Sequence, residues 1–223
     1  MLPSPHLLEL QASWLAPARA RALRQIDVGR RRTVLDLGCG YGAVTEELVR
    51  RAGGRVVAFD VNRAAVSQAP GERIQGTAER LPFAPRSFDL VFSQFSLLWM
   101  PRTGIDEITR VLTNDGVLVA LEPDYDGLIE WPPESVSRDL WIAALLRAGA
   151  EPLIGRMLPE RLAASGLHVE VALLDTLTAP AADRLDFLNE LPLNDEERAR
   201  LRSLAPATVA HLPVFIVTAR HVR

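Results

Sequence analysis

The sequence holds a single cysteine, Cys39, and no lysine, so all 25 of its basic side chains are arginines. One thiol cannot form an internal disulfide, and a cytoplasmic setting is the expectation. Without lysine there is no lysine general base and no Schiff base. No stretch approaches the ~18 consecutive apolar residues of a membrane span. The first residues include Pro3, Pro5 and Glu9 and lack the basic segment of a signal peptide. The histidines, His6, His168, His211 and His221, show no metal-ligand spacing, so no metal is expected. The net charge is −3, from 25 basic and 28 acidic residues, without the basic excess typical of nucleic-acid binders. Arg30 to Arg32, with Arg19, Arg21 and Arg24 upstream, read as a solvated face and a loop before the first strand. Internal repeats and low-complexity segments are also missing.

What is present is core. With 223 residues and 48% hydrophobic content, the chain can bury one sizeable interior. Strands are expected at 33–37, 55–60, 72–76, 88–93 and 116–122, alternating with helical patterns, which argues for an α/β fold with a parallel sheet. Residues 4–28 read as helical, broken at Pro17, and could close as a lid or pack on the sheet edge. Ile105, Ile108 and Leu112 recur at helical spacing, with Asp106 and Glu107 turned outwards. Beyond Trp131 come helices at 134–149 and 156–165, a strand at 168–177, helices at 181–189 and 195–204, and a last strand at 212–218. Asn194 followed by Glu197 has capping-box spacing. The division expected is one domain over 1–223: a leading segment 1–30, a cofactor-binding core 31–125 and a tail 126–223.

Residues 33–42, Thr-Val-Leu-Asp-Leu-Gly-Cys-Gly-Tyr-Gly, concentrate the chemistry. An apolar strand ends beside Asp36 and breaks into Gly38, Gly40 and Gly42, and a helix follows from about residue 43. Glycine lets a ligand rest on bare backbone, and free N–H groups at the helix start face it. A Cβ at Gly38 is therefore expected to enter ligand space. The spacing Gly38-x-Gly40-x-x-Ala43 also fits the dinucleotide fingerprint. Asp36 decides against it, because a pyrophosphate beside this carboxylate would meet like charge, whereas a ligand with an ammonium and a sulfonium would meet favourable charge. Asp60 closes the second strand 18 residues beyond Gly42, close to the ~20 expected for a ribose-binding acid.

The stretch Val34-Leu-Asp-Leu-Gly-Cys-Gly-Tyr-Gly42 resembles the first motif of class I S-adenosylmethionine-dependent methyltransferases. Gly76-Thr-Ala-Glu-Arg-Leu-Pro-Phe83, Ser87-Phe-Asp-Leu-Val-Phe-Ser93 and Glu107-Ile-Thr-Arg-Val-Leu112 extend the resemblance in order across residues 30–125. It implies a Rossmann-like, doubly wound, seven-stranded and mostly parallel sheet with helices on both faces and an antiparallel last strand. It implies S-adenosylmethionine at the strand tips. Asp36, Gly38, Gly40 and Gly42 would hold the methionine part, with Cys39 a small residue fitting the loop. Asp60 would hold the ribose, and Val61 would lie on the adenine face. Thr77, Ala78 and Glu79 would border the adenine, and Ser93 would lie beneath the methionine end. Thr77 departs from the acid often found there, although a hydroxyl still accepts one hydrogen bond. Residues 113–116, Thr-Asn-Asp-Gly, replace the family's usual turn with turn chemistry of their own.

The resemblance implies methyl transfer to a small molecule through an oxygen, nitrogen or carbon atom. Acceptor contacts are expected from the tips of the fourth and fifth strands: Gln94, Phe95, Trp99, Glu122, Asp124 and Tyr125, with Trp131 and Trp14 as apolar walls. No catalytic base announces itself. Glu122-Pro-Asp-Tyr125 looks like the Asp/Asn-Pro-Pro-Tyr motif of amino-methylating enzymes, but it follows the fifth strand rather than the fourth, so that function is not carried over. Two other readings stay open: a non-catalytic cofactor-binding module and a nicotinamide-dependent oxidoreductase. Neither a nucleic-acid partner nor a membrane is expected.

Overall fold

Strands buried on both faces organise the chain around one main sheet. In the computed structural model, residues 2–174 and 183–222 are described. The elements run α1 (Pro5–Gln25), β1 (Thr33–Leu37), α2 (Thr45–Arg51), β2 (Arg55–Asp60), α3 (Arg63–Val66), β3 (Glu72–Gln75), β4 (Phe88–Gln94), α4 (Thr103–Val111) and β5 (Leu112–Pro123). They continue with β6 (Ile129–Trp131), α5 (Arg138–Arg147), α6 (Ile154–Ala164), β7 (Leu167–Leu173), α7 (Arg184–Asn189), α8 (Asp195–Ser203), β8 (Val209–His211) and β9 (Val214–His221). The main sheet has seven strands in the order β3-β2-β1-β4-β5-β9-β7. The first five pair in parallel, and β9 runs antiparallel between β5 and β7. This is the doubly wound, mostly parallel sheet expected, with its last strand antiparallel.

Alternate residues of each strand enter opposite cores, as the pleat requires. Leu35, Leu37, Val57, Phe59, Val91 and Leu118 pack with Ile105 and Ile108 of α4 and Leu158 and Leu162 of α6. Val34, Val56, Leu90, Phe92, Val119 and Leu121 pack on the other side with Leu15 and Leu23 of α1 and Leu48 of α2. Strands buried on both faces read as continuous apolar runs, and this makes β1, β2, β4 and β5 visible in the sequence, whereas β3 is an exposed edge strand.

Some boundaries differ. Helix α1 runs unbroken through Pro17, because Leu15, Ala18, Ala22 and Leu23 bury a continuous stripe on both sides of it. Strand β5 begins at Leu112, and residues 113–116 bulge from the ladder where the register passes from Leu112 to Val117. The helix expected from 134 starts at Arg138, since Glu130 ties down the Ser137 and Arg138 amides ahead of it at 2.7 and 3.1 Å. A two-stranded ribbon of β6 and β8 is additional. The Asn194–Glu197 capping box forms as expected. Of the strand expected at 168–177 and the helix expected at 181–189, residues 175–182 lie outside the described residues. No helix among the described residues is long and apolar enough to cross a membrane.

Candidate cofactor and acceptor site

The strand order reverses direction between β1 and β4, which opens a crevice beyond their carboxyl ends. Asp36, near the tip of β1, is 2% exposed, and its Oδ2 accepts a 2.5 Å hydrogen bond from the Thr45 hydroxyl of α2. Burial pushes its pKa up to about 7, with neighbouring Asp60 adding to the rise; the Thr45 bond and the Arg19 charge oppose it. Asp60, at the tip of β2, accepts the Gly40 and Asn62 amides at 2.8 Å each. One carboxylate thus fixes the glycine loop against the next helix, while two of its four lone-pair directions stay available.

The three glycines divide their work. Gly38 has φ +76°, and a Cβ there would lie 1.7 Å from the Ser96 Oγ. The expectation that it would enter ligand space is corrected: the turn after β4 fills that position. Gly42 is held close to Ala69 and Pro70, where a Cβ would meet Ala69 Cα at 2.7 Å, and it does not line the cavity. Gly40 lines the cavity and turns its bare face to the leading segment, with Leu8 Cδ1 of α1 at 3.1 Å and Leu2 Cδ1 at 3.8 Å from where its Cβ would be. We expect Gly38→Ala to destabilise the chain by about 2–5 kcal/mol, from a positive φ and overpacking. Added Ser96→Gly should recover part of that loss. Urea denaturation reads both, and an unchanged midpoint for Gly38→Ala would refute the packing account.

A cavity of about 500 Å³ lies over these groups. Asp36, Gly38, Cys39, Gly40, Asp60 and Val61 line it on the β1–β2 side, followed by Thr77, Ala78 and Glu79 after β3. The Thr77 hydroxyl accepts the Glu79 amide at 3.3 Å. Burial, with Asp36 and Asp60 adding to it, raises the Cys39 thiol far above its ordinary value, which disfavours the reactive thiolate. Gln94, Phe95, Trp99 and Tyr125 line the other side, as expected for strand tips β4 and β5.

Other expected contacts lie elsewhere. Ser93 and Glu122 are fully buried and outside the cavity lining. Glu122 Oε1 accepts the Ser93 hydroxyl at 3.1 Å and the Ser96 and Leu97 amides at 3.2 and 3.0 Å, so this carboxyl fastens the turn after β4. Burial pushes its pKa up to about 7, against those hydrogen bonds. Asp124 is likewise buried and paired with Arg156 at 2.6 Å. Trp131 is 59% exposed on the β6–β8 ribbon, and Trp14 stands behind the cavity with its ring 5.7 Å from Phe187.

Arg19 is also corrected. Instead of a solvated face, it is 4% exposed and donates to Glu47 at 2.7 Å, and to Gln94 Oε1 and the Ala12 carbonyl at 2.9 Å each. It fastens α1 to α2 and to the tip of β4, while Leu2, Leu8 and Gln11 of the leading segment cover the cavity. Its second half packs on the sheet through Leu15, Ala22 and Leu23, and residues of its first half line the cavity. Sequence reasoning missed the rest of the cover, Trp141, Leu145, Phe187 and Leu191. Their apolar spacing looks like ordinary helical core.

The residues fit a cationic nucleoside ligand. Two buried carboxylates and a bare glycine face share one crevice, with Val61 68% exposed beside them to meet a flat base. Residues 35–120 match the family described as methyltransferase domain. A malonyl-[acyl-carrier protein] O-methyltransferase of Enterobacter lignolyticus is 32% identical over 165 residues, 71% of this chain and 62% of that protein. The mitochondrial arginine-hydroxylase NDUFAF5 of Mus musculus is 35% identical over 104 residues, 43% of this chain and 30% of that protein. The chain thus spans less than two thirds of either curated relative. Among solved structures, an S-adenosylmethionine dependent methyltransferase from Mesorhizobium loti superposes with a TM-score of 0.55 at 19% identity, covering 91% of this chain and 98% of that one. At that identity the likeness is one of fold. Taken with the ordered motifs at residues 34–42, 76–83, 87–93 and 107–112, these matches identify residues 35–120 as a methyltransferase domain of the class I type, whose cofactor is S-adenosylmethionine.

Proposed function

We propose that this chain transfers a methyl group from S-adenosylmethionine to a small molecule through an oxygen, nitrogen or carbon atom. The observation that carries this reading is the two-sided cavity. Buried carboxylates Asp36 and Asp60 stand on one side, and aromatic side chains at the tip of β5 and on α5 and α7 stand on the other. The cofactor supplies the chemistry, an activated methyl group on a sulfonium.

The chain's residues bind, orient and exclude water. Asp60 would accept the ribose hydroxyls, Asp36 would face the α-amino group, and Val61, Thr77, Ala78 and Glu79 would border the adenine. Gly40 would offer its bare backbone, and Cys39 and Gly38 would shape the loop. Gln94, Trp99 and Tyr125 would bound the acceptor, held against the cofactor; such proximity can supply ~7–11 kcal/mol of the barrier. Residues 31–125 would form the cofactor half, with 1–30 and 126–223 as its cover. The same carboxylates oppose a dinucleotide, whose pyrophosphate would lie beside them.

Calorimetry of the full chain against S-adenosylmethionine, S-adenosylhomocysteine and NAD tests this. Micromolar binding of the first two without NAD is expected. NAD binding alone would favour the oxidoreductase reading, and silence from all three would leave a non-binding relative of the family.

A further inference from the structure

Resting on the methyltransferase reading, we infer that the acceptor is an uncharged, ring-bearing molecule, seated in a chamber walled by Tyr125, Trp141, Phe187 and Leu191. Tyr125 follows β5, two strands beyond β1, so this chamber is the end of the cavity away from Asp36 and Asp60. Its floor is flat and aromatic. Tyr125 and Trp141 stack with centroids 4.9 Å apart and 28° between their planes, and both line the cavity, so that a third ring entering it can continue the stack. Phe187 closes one side and is held from behind by Trp14 at 5.7 Å.

The charges around the cavity select against anions. Asp36, Asp60 and Glu79 are its charged lining residues, and no arginine or histidine lines it among the described residues. Arg19, fixed on Glu47, Gln94 and the Ala12 carbonyl, already has its partners. Residues 175–182, Asp-Thr-Leu-Thr-Ala-Pro-Ala-Ala, contain no basic side chain. A carboxylate or phosphate on the acceptor would therefore lose its water without gaining a cation, which is costly. One polar handle remains available. Neither the Tyr125 hydroxyl nor the Trp141 indole N–H has a hydrogen-bond partner among the described residues, and both residues line the cavity. They suit a carbonyl, ether or hydroxyl oxygen on the ring.

The test uses two probes of equal ring size, 2-naphthol and 2-naphthoate, titrated at pH 7.5 into the full chain saturated with S-adenosylhomocysteine. We expect 2-naphthol to saturate with a Kd at least about tenfold below that of 2-naphthoate. Trp141→Ala should weaken 2-naphthol by about tenfold, and Trp141→Phe should return it to within about threefold, because a ring is restored. S-adenosylhomocysteine affinity should be unchanged in both variants, which also reports that they fold. Equal or tighter binding of 2-naphthoate would overturn the inference. So would failure of 2-naphthol to saturate a chain that binds S-adenosylhomocysteine, or indifference to Trp141→Ala. Loss of S-adenosylhomocysteine binding in the unaltered chain would instead remove the methyltransferase reading, and this inference with it.

Discussion

Asp60→Ala is expected to weaken S-adenosylmethionine binding by about a hundredfold or more while the chain stays folded. Asp60 is 7% exposed at the tip of β2, and its two oxygens hold the Gly40 and Asn62 amides at 2.8 Å. Asp60 lines the cavity, where a ribose would present two hydroxyls to its remaining lone pairs. Hydrogen bonds to a charged group contribute ~1.5–3 kcal/mol each. Two lost bonds then come to about 3–6 kcal/mol, or at least two decades in affinity at ~1.4 kcal/mol per decade. The alanine also frees Gly40, whose bare face would otherwise meet the ligand. Asp60→Asn should fall between the two, since it keeps the size and one acceptor but must turn an N–H₂ towards an amide donor. Calorimetry with S-adenosylhomocysteine reads the same contacts without turnover. An unchanged dissociation constant for Asp60→Ala would remove the ribose assignment.

The fold was legible because its strands are buried on both faces, so that β1, β2 and β4 appear as apolar runs whatever lies around them. Their tips were legible for a related reason: Asp36 and Asp60 end such runs, where a charge has no place in a core. Which tip residues face the crevice was not. Ser93 and Glu122 sit at strand ends like Gln94, but the backbone at Ser96 and Leu97 folds over Glu122 and takes its carboxylate. That contact joins residues 26 and 25 positions apart and leaves no local mark. Gly38 follows the same logic, since the atom that excludes a Cβ belongs to Ser96 rather than to a ligand.

Arg19 is different, because its signal was present. It lies four residues after Leu15 and three before Ala22, on the face of α1 that packs on the sheet. A charge on an apolar stripe calls for a partner, and Glu47 and Gln94 provide it. The acceptor chamber was hidden by composition: Trp141, Phe187 and Leu191 are the residues a core is made of. Only the cavity distinguishes them from Leu140 and Leu188, which are buried without lining it.

Cofactor affinity is also expected to depend steeply on pH below neutrality, through Asp36. In the ligand-free chain, burial lifts the Asp36 pKa to about 7, with Asp60 adding to the rise and Thr45 and Arg19 opposing it. A cationic amino group beside it would favour the carboxylate and lower that value in the complex. Binding would then select the deprotonated form. Affinity should be full above pH 7 and fall by about tenfold for each unit below it, until the bound-state pKa is reached. Above about pH 8 the ligand's own α-amino group loses its charge, so affinity should decline again. At pH 6, calorimetry in buffers of different ionisation enthalpy should report close to one proton released on binding. Asp36→Asn should flatten the acid limb and bind weakly throughout. Glu122 also titrates near 7 but lies outside the cavity, so Glu122→Gln should leave the limb in place. An acid limb that survives Asp36→Asn, or one that disappears in Glu122→Gln, would move the titrating group away from the glycine loop.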